Sequence, residues 1–294
     1  MEILGFSDFF FLNGHIGPID SERRVQTSVF PPFASIVRSF LELDVLSWVV
    51  KEYDIGVDEA GRGPAIGPLV VCALSIKKTE RKYLNDLGVQ DSKKLSRERR
   101  ELVYEKLMGK SEEHGWGIGV EICHPANIDK WMETGTLNSL EVELFAKAIQ
   151  KAGVAADVNC LFLDACDVNE KRFGENVSEA LGSNWKKCSV DSRHKMDTND
   201  VLVAAASIIA KVNRDKEISI LSRNEGLDLG SGYPSDQVTK RAIDLLCCGE
   251  IPHEMLRWSW ANVRRSWIKQ NNSPFPNRFS GPTKNVQQTL TDWE

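Results

Sequence analysis

The sequence lacks several features that would assign it to a familiar class at once. None of its seven cysteines forms a CxxC pair and its five histidines show no HxxxH spacing, so we expect no tetrahedral zinc site. No apolar run reaches the roughly 18 residues needed to span a membrane. The amino-terminal stretch carries an acid where a secretory signal needs positive charge. We therefore expect reduced thiols and a cytoplasmic protein, or a nuclear one if the source is eukaryotic.

The chain also has no excess of positive charge, since 37 Lys and Arg against 42 Asp and Glu leave a formal net charge of -5. This balance argues against a general polyanion binder and against a recombinase or integrase, which would need a wider basic surface. Any contact with nucleic acid must therefore be local. Two clusters could supply it, although each could instead be a solvated helix face or core: Lys93, Lys94, Arg97, Arg99 and Arg100, and later Arg257, Arg264, Arg265 and Lys269 among Trp258, Trp260 and Trp267.

Apolar periodicity predicts how the chain is organised. Alternation from Tyr53, an apolar run from Leu69 and a second alternation from Trp116 predict three strands in meander order. A helical stripe from Leu137 followed by a buried run at 160–163 predicts a helix that crosses over to another strand of the sheet.

The later part of the chain contains the strongest helical pattern. Intervals of three and four between apolar residues over 199–212 predict an amphipathic helix, with Asp197 just before its start and small alanines that permit close approach to the sheet. The patterns divide the chain into four parts. Residues 1–50 are an extension of unknown role, 51–222 a core domain, 223–269 a smaller helical part and 270–294 a flexible tail.

Four acids lie at the ends of these predicted elements: Asp58 and Glu59 after the first strand, Asp164 after a later one, and Asp197 at the helix entrance. A single Asp at a strand end is often only a terminator. If the four converge, each pair about 4 Å apart would repel by roughly 4 kcal/mol at an effective dielectric of about 20. Bound cations would make the cluster tolerable, and oxygen ligands favour Mg²⁺ or Mn²⁺. Two such ions could hold both the attacking water and the leaving oxygen of a phosphodiester.

The glycine-rich turn GRGPAIG at 61–67 follows the first acid pair. It is not a nucleotide-binding fingerprint, because its spacing differs from GxGxxG, no GK[ST] follows, and it leads into a strand. Its glycines allow the backbone to approach a ligand closely. The alternative interpretation is a tight hairpin beside two solvated acids.

Several ordered motifs together resemble the type 2 ribonuclease H family, ribonuclease HII. They are GVDEAGRGP at 56–64, DSKKLS at 91–96, an apolar strand that ends in Asp164, and KMD followed by AAASIIAKVNRD within 195–215. The resemblance covers about residues 53–269. GSGYPSD at 230–236 and RWSW at 257–260 are more similar to archaeal and eukaryotic catalytic chains than to bacterial ones. GRG in place of GKG differs from the sister type, ribonuclease HIII.

The resemblance implies a ribonuclease H-like α/β fold, a mixed sheet flanked by helices, with a small C-terminal helical part that binds substrate. It implies that Asp58, Glu59, Asp164 and Asp197 are the catalytic carboxylates and hold two Mg²⁺ or Mn²⁺ ions. In the family the GRG turn meets the ribose 2′-hydroxyl and a tyrosine packs on the sugar. The implied substrate-binding residues are Gly61, Arg62, Gly63, Lys93, Lys195 and Tyr233.

The activity implied by the resemblance is metal-dependent endonucleolytic cleavage of RNA in RNA·DNA hybrids. It includes cleavage 5′ of single ribonucleotides embedded in duplex DNA, for ribonucleotide removal in replication and repair. We expect a monomer, although accessory subunits remain an alternative. A non-catalytic adaptor that holds hybrid duplex at a sliding clamp is the other reading, and the presence of all four acids disfavours it.

Three positions depart from the family pattern. Met196 replaces a small residue, while Asp200 and Val201 replace an aromatic and proline pair. Asp200 could compete with Asp197 for metal, but we expect it to face outward. Arg214, on the predicted long helix, is interpreted as the ion-pair partner of Asp215 or another nearby acid.

The last eight residues contain a second motif. Gln287, Leu290 and Trp293 fit the Qxx[ILM]xx[aromatic] box that binds DNA sliding clamps. One helical turn would place Leu290 and Trp293 on the same face as a hydrophobic plug. A tail with an incidental tryptophan is the alternative.

Overall fold

A computed structural model of the chain describes residues 51–89 and 95–279. The extension at 1–50, Lys93 and the clamp box formed by Gln287, Leu290 and Trp293 lie outside these ranges. Within them, no helix combines the length and the apolar character that a bilayer span requires.

The described residues form a mixed five-stranded sheet in the order β3-β2-β1-β4-β5. The first three strands are an antiparallel meander, as predicted, and β4 and β5 run parallel to β1. Because Val57 of β1 pairs with Leu163 of β4, the next residues, Asp58 and Asp164, lie side by side near the carboxyl ends of the two parallel strands. The strands are β1 Tyr53–Ala60, β2 Leu69–Lys77, β3 Gly117–Cys123, β4 Val158–Asp164 and β5 Ser189–Arg193.

Helices cover both faces of the sheet, which confirms the predicted fold class. On one face α4 and α5 pack through Phe145 and Phe173, whose rings meet edge to face at 5.1 Å. On the other face α2 and α7 bury Val103, Leu107 and Ile208. The helices are α1 Arg81–Asp86, α2 Arg97–His114, α3 Pro125–Trp131, α4 Leu137–Ala152, α5 Glu170–Leu181, α6 Met196–Asn199, α7 Val201–Glu225, α8 Gln237–Leu246 and α9 Ala261–Asn271.

Helix α7 lies unusually close to the central strand. A Cβ on Gly56 would come within 2.7 Å of the backbone carbon of Leu202, so β1 needs glycine at this position. Leu202 and the alanines that follow it are almost completely buried. The small residues of the pattern therefore allow the close approach that the sequence predicts.

The predicted start of this helix is wrong, because a separate short helix, α6, precedes it. Asp197 does not precede α7 directly but lies within α6, and α7 starts after Asp200. The Asp200 carboxylate accepts hydrogen bonds from the backbone N–H of Leu202 at 2.8 Å and of Val203 at 3.2 Å, and it also pairs with Arg81. Asp200 is therefore an N-cap rather than the outward-facing acid that we expected.

The C-terminal part has its own small core, in which Trp258 and Trp267 are buried. The flexible tail predicted from residue 270 is wrong up to residue 279. Phe275 packs edge-on against both tryptophan rings, and Arg278 donates to the buried carboxylate of Asp129 at 2.6 Å. This aromatic packing and ion pair explain why a segment rich in Asn, Ser and Pro is ordered there.

Candidate active site

The predicted carboxylates meet at the edge of the sheet where β1 and β4 end. Asp58, Asp164 and Asp197 each offer an oxygen atom within 4.8 Å of the others. The parallel register brings Asp58 and Asp164 together. The Asp164 carboxylate then accepts a hydrogen bond from the Met196 N–H at 2.9 Å, which fixes the turn that carries Asp197. Three acids from two strands and a short helix thus share one site.

Glu59 joins this group from the other side. Its backbone N–H donates to the Asp58 carboxylate at 2.7 Å. Its own carboxylate lies within 4.8 Å of ligand atoms of Glu141 and Cys166. Its Oε2 atom is buried and has no hydrogen-bond partner among the described residues. Asp58, Asp164 and Asp197 therefore share one site, while the neighbouring Glu59 faces a fifth acid, Glu141, that the sequence did not reveal.

The electrostatics of the site favour a cation. Burial, and then the neighbouring Glu59, raise the pKa of Asp58 well above its ordinary value. Burial, and then the charge of Glu141, raise the pKa of Glu59 to about 7. Such carboxyls retain protons until positive charge compensates them. The oxygen-only set of Asp58, Asp164 and Asp197 suits a hard divalent cation such as Mg²⁺ or Mn²⁺.

These acids line the base of a cleft of about 600 Å³. Its opposite wall is basic, being formed by α2, α7 and the turn that precedes α8. The cleft is therefore acidic at its base and positive at its rim, as a site for a phosphate diester would need to be. The residues that line it include Asp58, Glu59, Gly61, Arg62, Asp164, Asp197, Arg97, Arg100, Lys211, Arg214 and Tyr233.

The GRG turn is held from behind by the C-terminal part. The Arg257 guanidinium donates to the carbonyl oxygens of Gly61 at 2.6 Å, of Arg62 at 3.0 Å and of Gly67 at 3.0 Å. The Trp260 Nε1 donates to the Gly63 carbonyl at 3.2 Å. Arg257 is completely buried, so its interpretation as a solvated or nucleic-acid-contacting residue is wrong. The RWSW motif gave no sign of this role, because hydrogen bonds to main-chain carbonyls leave no pattern in the sequence.

The Arg62 side chain extends from the turn toward α4. It forms an ion pair with Glu141, whose side chain is completely buried, and donates to the Asn138 amide oxygen at 2.7 Å. Burial, opposed by the Arg62 charge, raises the pKa of Glu141 to about 7. The turn is thus anchored through both its carbonyls and its single long side chain.

Arg214 and Tyr233 complete the opposite wall of the cleft. Gly61 has φ 92°, and a Cβ there would lie 2.4 Å from the Arg214 Nε, so this position requires glycine. The Arg214 guanidinium carbon lies 5.8 Å from the centre of the Tyr233 ring. Asp215 pairs with Arg100 instead, at 2.8 Å, so the predicted ion pair of Arg214 with Asp215 is wrong. Arg214 belongs to the cleft.

Two of the predicted substrate-binding residues that the structure describes, Gly63 and Lys195, are not in the lining of the cleft. Gly63 is exposed beside it, with the Tyr233 ring 3.4 Å from the place of a Cβ. Lys195 is also exposed and has a left-handed backbone, φ 56°, at the turn before α6. Lys93 lies outside the described residues. Lys211, in contrast, lines the cleft although the sequence did not predict it. Its Nζ donates to the Ser207 hydroxyl at 2.8 Å.

Comparison with known proteins shows which family the chain belongs to. A sequence profile of the ribonuclease HII family matches residues 55–263. Ribonuclease HII of Thermococcus sibiricus is 41% identical over 212 residues, which are 71% of this chain and 89% of that protein. The crystal structure of ribonuclease H2 from Pyrococcus horikoshii superposes with a TM-score of 0.66 at 34% identity, covering 75% of this chain and all of that one.

A further solved structure contains a partner. Ribonuclease HII of Archaeoglobus fulgidus, solved as a complex with PCNA, superposes with a TM-score of 0.60 at 36% identity and covers 70% of this chain and 94% of that one. The family profile spans most of the chain, and the acidic cleft lies within the matched residues. The chain is therefore a type 2 ribonuclease H and belongs to the ribonuclease HII family.

Proposed function

We propose that the cleft cleaves the RNA strand of RNA·DNA hybrids and cuts on the 5′ side of single ribonucleotides within duplex DNA. The observation that carries the proposal is the position of the GRG turn directly beside Asp58, Asp164 and Asp197. The 2′-hydroxyl is the group that distinguishes RNA from DNA, and a glycine backbone can meet it at short range. Recognition of the ribose would thus occur next to the atoms that perform the cleavage.

The turn has the chemistry that this contact requires. Its carbonyl oxygens are occupied by Arg257 and Trp260. The backbone N–H groups of Arg62 and Gly63 make no hydrogen bond within the described residues. They can therefore donate to a sugar hydroxyl or to a phosphate oxygen, and the fixed carbonyls hold them in place before substrate arrives.

Asp58, Glu59, Asp164 and Asp197 would hold the divalent cations. When bound, such cations stabilise the negative charge that develops on the phosphate and on the leaving oxygen. Lys211 and Arg214 place two positive charges on the cleft wall, where they would neutralise the scissile phosphate and its neighbour. Tyr233 is 43% exposed and offers its ring to the sugar of the next nucleotide. Water is the nucleophile, and the products carry 3′-hydroxyl and 5′-phosphate ends.

The decisive experiment uses a labelled DNA duplex that contains one ribonucleotide, incubated with the protein with and without Mg²⁺. We expect a single cut 5′ of the ribonucleotide only when metal is present, and no cut in an all-DNA duplex of the same sequence. Asp164→Asn should keep duplex binding and lose nearly all cleavage, because one metal-facing oxygen becomes an amide. Binding without any metal-dependent product in the parent protein would identify an adaptor and refute the proposal.

We also propose a DNA sliding clamp as a partner, since the Archaeoglobus fulgidus relative was solved in complex with PCNA. Clamp binding would place the enzyme in the DNA-containing compartment, cytoplasm or nucleus, at sites of replication and repair. Calorimetry of the full chain with the clamp should show binding that Leu290→Ala abolishes, because the box loses half of its apolar plug. Equal affinity of the variant and the parent would exclude the box at Gln287, Leu290 and Trp293.

A further inference from the structure

A second set of ligand atoms lies next to the catalytic acids, on the side of α4. It consists of the carboxylates of Glu59 and Glu141 and the thiol of Cys166, each with a ligand atom within 4.8 Å of the others. We infer that these three side chains form a further cation site that takes a thiophilic divalent cation, such as Cd²⁺ or Zn²⁺. Because it shares Glu59 with the catalytic cluster, a cation bound there would inhibit the enzyme.

Two buried oxygen atoms without partners point to this site. Glu141 is completely buried, and its Oε1 has no hydrogen-bond partner among the described residues. The Oε2 atom of Glu59 is also buried and has no hydrogen-bond partner among these residues. A buried carboxylate oxygen without a partner is costly, so such atoms are rare unless an ion or a water satisfies them. Here the two carboxylates that carry these atoms belong to different elements, and each has an oxygen within 4.8 Å of the same thiol.

The Glu141–Arg62 ion pair is compatible with a cation. Arg62 occupies Oε2 of Glu141, which leaves Oε1 available on the other side. A carboxylate that bridges a guanidinium and a metal ion is held in a fixed orientation by the former. The positive charge of Arg62 compensates only one of the two glutamates. Asp58, Asp164 and Asp197 add further negative charge close by.

Cys166 decides which cations the site accepts. Thiolate ligands select soft or borderline metals, whereas Mg²⁺ requires oxygen. The Cys166 thiol lies two residues beyond Asp164, and its Sγ is 3.8 Å from the Asp164 carbonyl oxygen. On binding, the bond from Sγ to the cation forms as the thiol proton leaves to solvent. Mg²⁺ would thus fill the aspartate site, and a thiophilic cation would fill this one.

The test is a titration of the full-length, metal-free protein with Cd²⁺, followed by the ultraviolet thiolate-to-cadmium charge-transfer absorbance. We expect one equivalent of this signal in the parent protein and its loss in Cys166→Ser. Cys248→Ser is the matched control, because Cys248 is exposed and far along the chain, and it should titrate like the parent. Thermal unfolding of each variant checks that the fold is intact.

A second pair of variants tests the carboxylate. Glu141→Gln should weaken Cd²⁺ binding at least about tenfold. Glu143→Gln, the same change two residues further along α4, should leave it unaltered. A Cd²⁺ titration of Cys166→Ser that matches the parent, or unchanged affinity in Glu141→Gln, would overturn the inference.

The inhibitory consequence rests on the proposed nuclease function, whereas Cd²⁺ binding does not, so the two can fail separately. In the presence of saturating Mg²⁺, Cd²⁺ should inhibit cleavage by the parent and by Cys248→Ser. Cys166→Ser should resist it at concentrations at least about tenfold higher. Equal inhibition of parent and Cys166→Ser would show that Cd²⁺ acts at the aspartates instead.

Discussion

Two aspartates only three residues apart have entirely different roles at this site. Asp197 faces Asp58 and Asp164, whereas Asp200 accepts backbone hydrogen bonds at the start of α7 and pairs with Arg81. A turn of α6 separates their side chains. Residue type alone could not distinguish them, and the family motif could, because the resemblance assigns the last metal-binding acid of the family to Asp197.

We expect the Tyr233 ring to pack against the sugar of the substrate. Tyr233→Ala should lower kcat/KM on a single-ribonucleotide duplex about tenfold or more, since removing the apolar contact of an aromatic ring costs on the order of 1.5–3 kcal/mol. Tyr233→Phe should keep most of the activity, because the ring is retained. Steady-state kinetics of both variants measure this.

The thermal stability of both Tyr233 variants should match the parent, because the side chain is 43% exposed and lies beside Gly63 and Arg214 at the mouth of the cleft. If Tyr233→Phe loses as much activity as Tyr233→Ala, the hydroxyl rather than the ring carries the interaction.

At the scale of the element, the GRG turn depends on a segment nearly 200 residues later in the chain. Arg257 contacts the carbonyls of Gly61, Arg62 and Gly67, and its burial, with Arg214 nearby, lowers its pKa to about 9. The Arg257 side chain stabilises the turn, because without this donor each of the three carbonyl groups would be buried without a hydrogen-bond partner.

Arg257→Gln should therefore reduce both stability and ribonucleotide recognition. We expect a loss of about 3 kcal/mol in the free energy of unfolding, from buried carbonyls left unsatisfied. We also expect at least about a tenfold loss in kcat/KM. Arg265→Gln, an exposed change on α9, is the control and should alter neither. Denaturant titration and cleavage kinetics report the two effects, and full activity in a stable Arg257→Gln protein would refute this role.

The start of α7 gives a prediction for Asp200. Asp200→Asn should remain active and lose at most about 1 kcal/mol of stability, because asparagine caps a helix as well as aspartate does. Asp200→Ala should lose about 0.5–2 kcal/mol, since the N–H groups of Leu202 and Val203 then lack their acceptor.

Asp197→Asn is the matching change at the proposed metal-binding position, and the variant should fold normally and be inactive. Cleavage assays and thermal unfolding of the three variants test the assignment. An inactive, folded Asp200→Asn would place Asp200 in the metal site after all.

For the whole molecule, the sequence predicted what depends on local pattern and on the family motifs. The meander and the crossover helix follow from periodicity, and long ordered motifs singled out Asp58, Asp164 and Asp197, which lie together in the structure. Arg214, Arg257 and Glu141 were misread or missed, because their partners are backbone atoms or residues far away in the chain. The ordered segment 270–279 was missed for the same reason, since Phe275 is held by tryptophans of α9 and the loop before it.

The buried acids also determine how the stability of the whole metal-free protein depends on pH. Burial, and then the charge of Glu141, raise the pKa of Glu59 to about 7. Burial also raises the pKa of Glu141 to about 7, although the charge of Arg62 opposes this rise. Between pH 4.5 and 7 the folded state therefore retains protons that the unfolded chain has released. In this window the free energy of unfolding falls as pH rises. A rise from 4.5 to about 7 corresponds to roughly 3–3.5 kcal/mol for one group.

We therefore expect the metal-free protein to be less stable at pH 8 than at pH 5.5, and Mg²⁺ to restore stability at pH 8 by compensating the ionised carboxylates. Thermal unfolding at both pH values, with Mg²⁺ or with chelator, measures the effect. Glu141→Gln should flatten the pH dependence, because it removes one buried carboxyl and the charge that acts on Glu59. Glu143→Gln should leave it unchanged. A metal-free protein that grows steadily more stable from pH 5.5 to 8 would mean that these carboxyls ionise freely, and that the cluster does not need a cation.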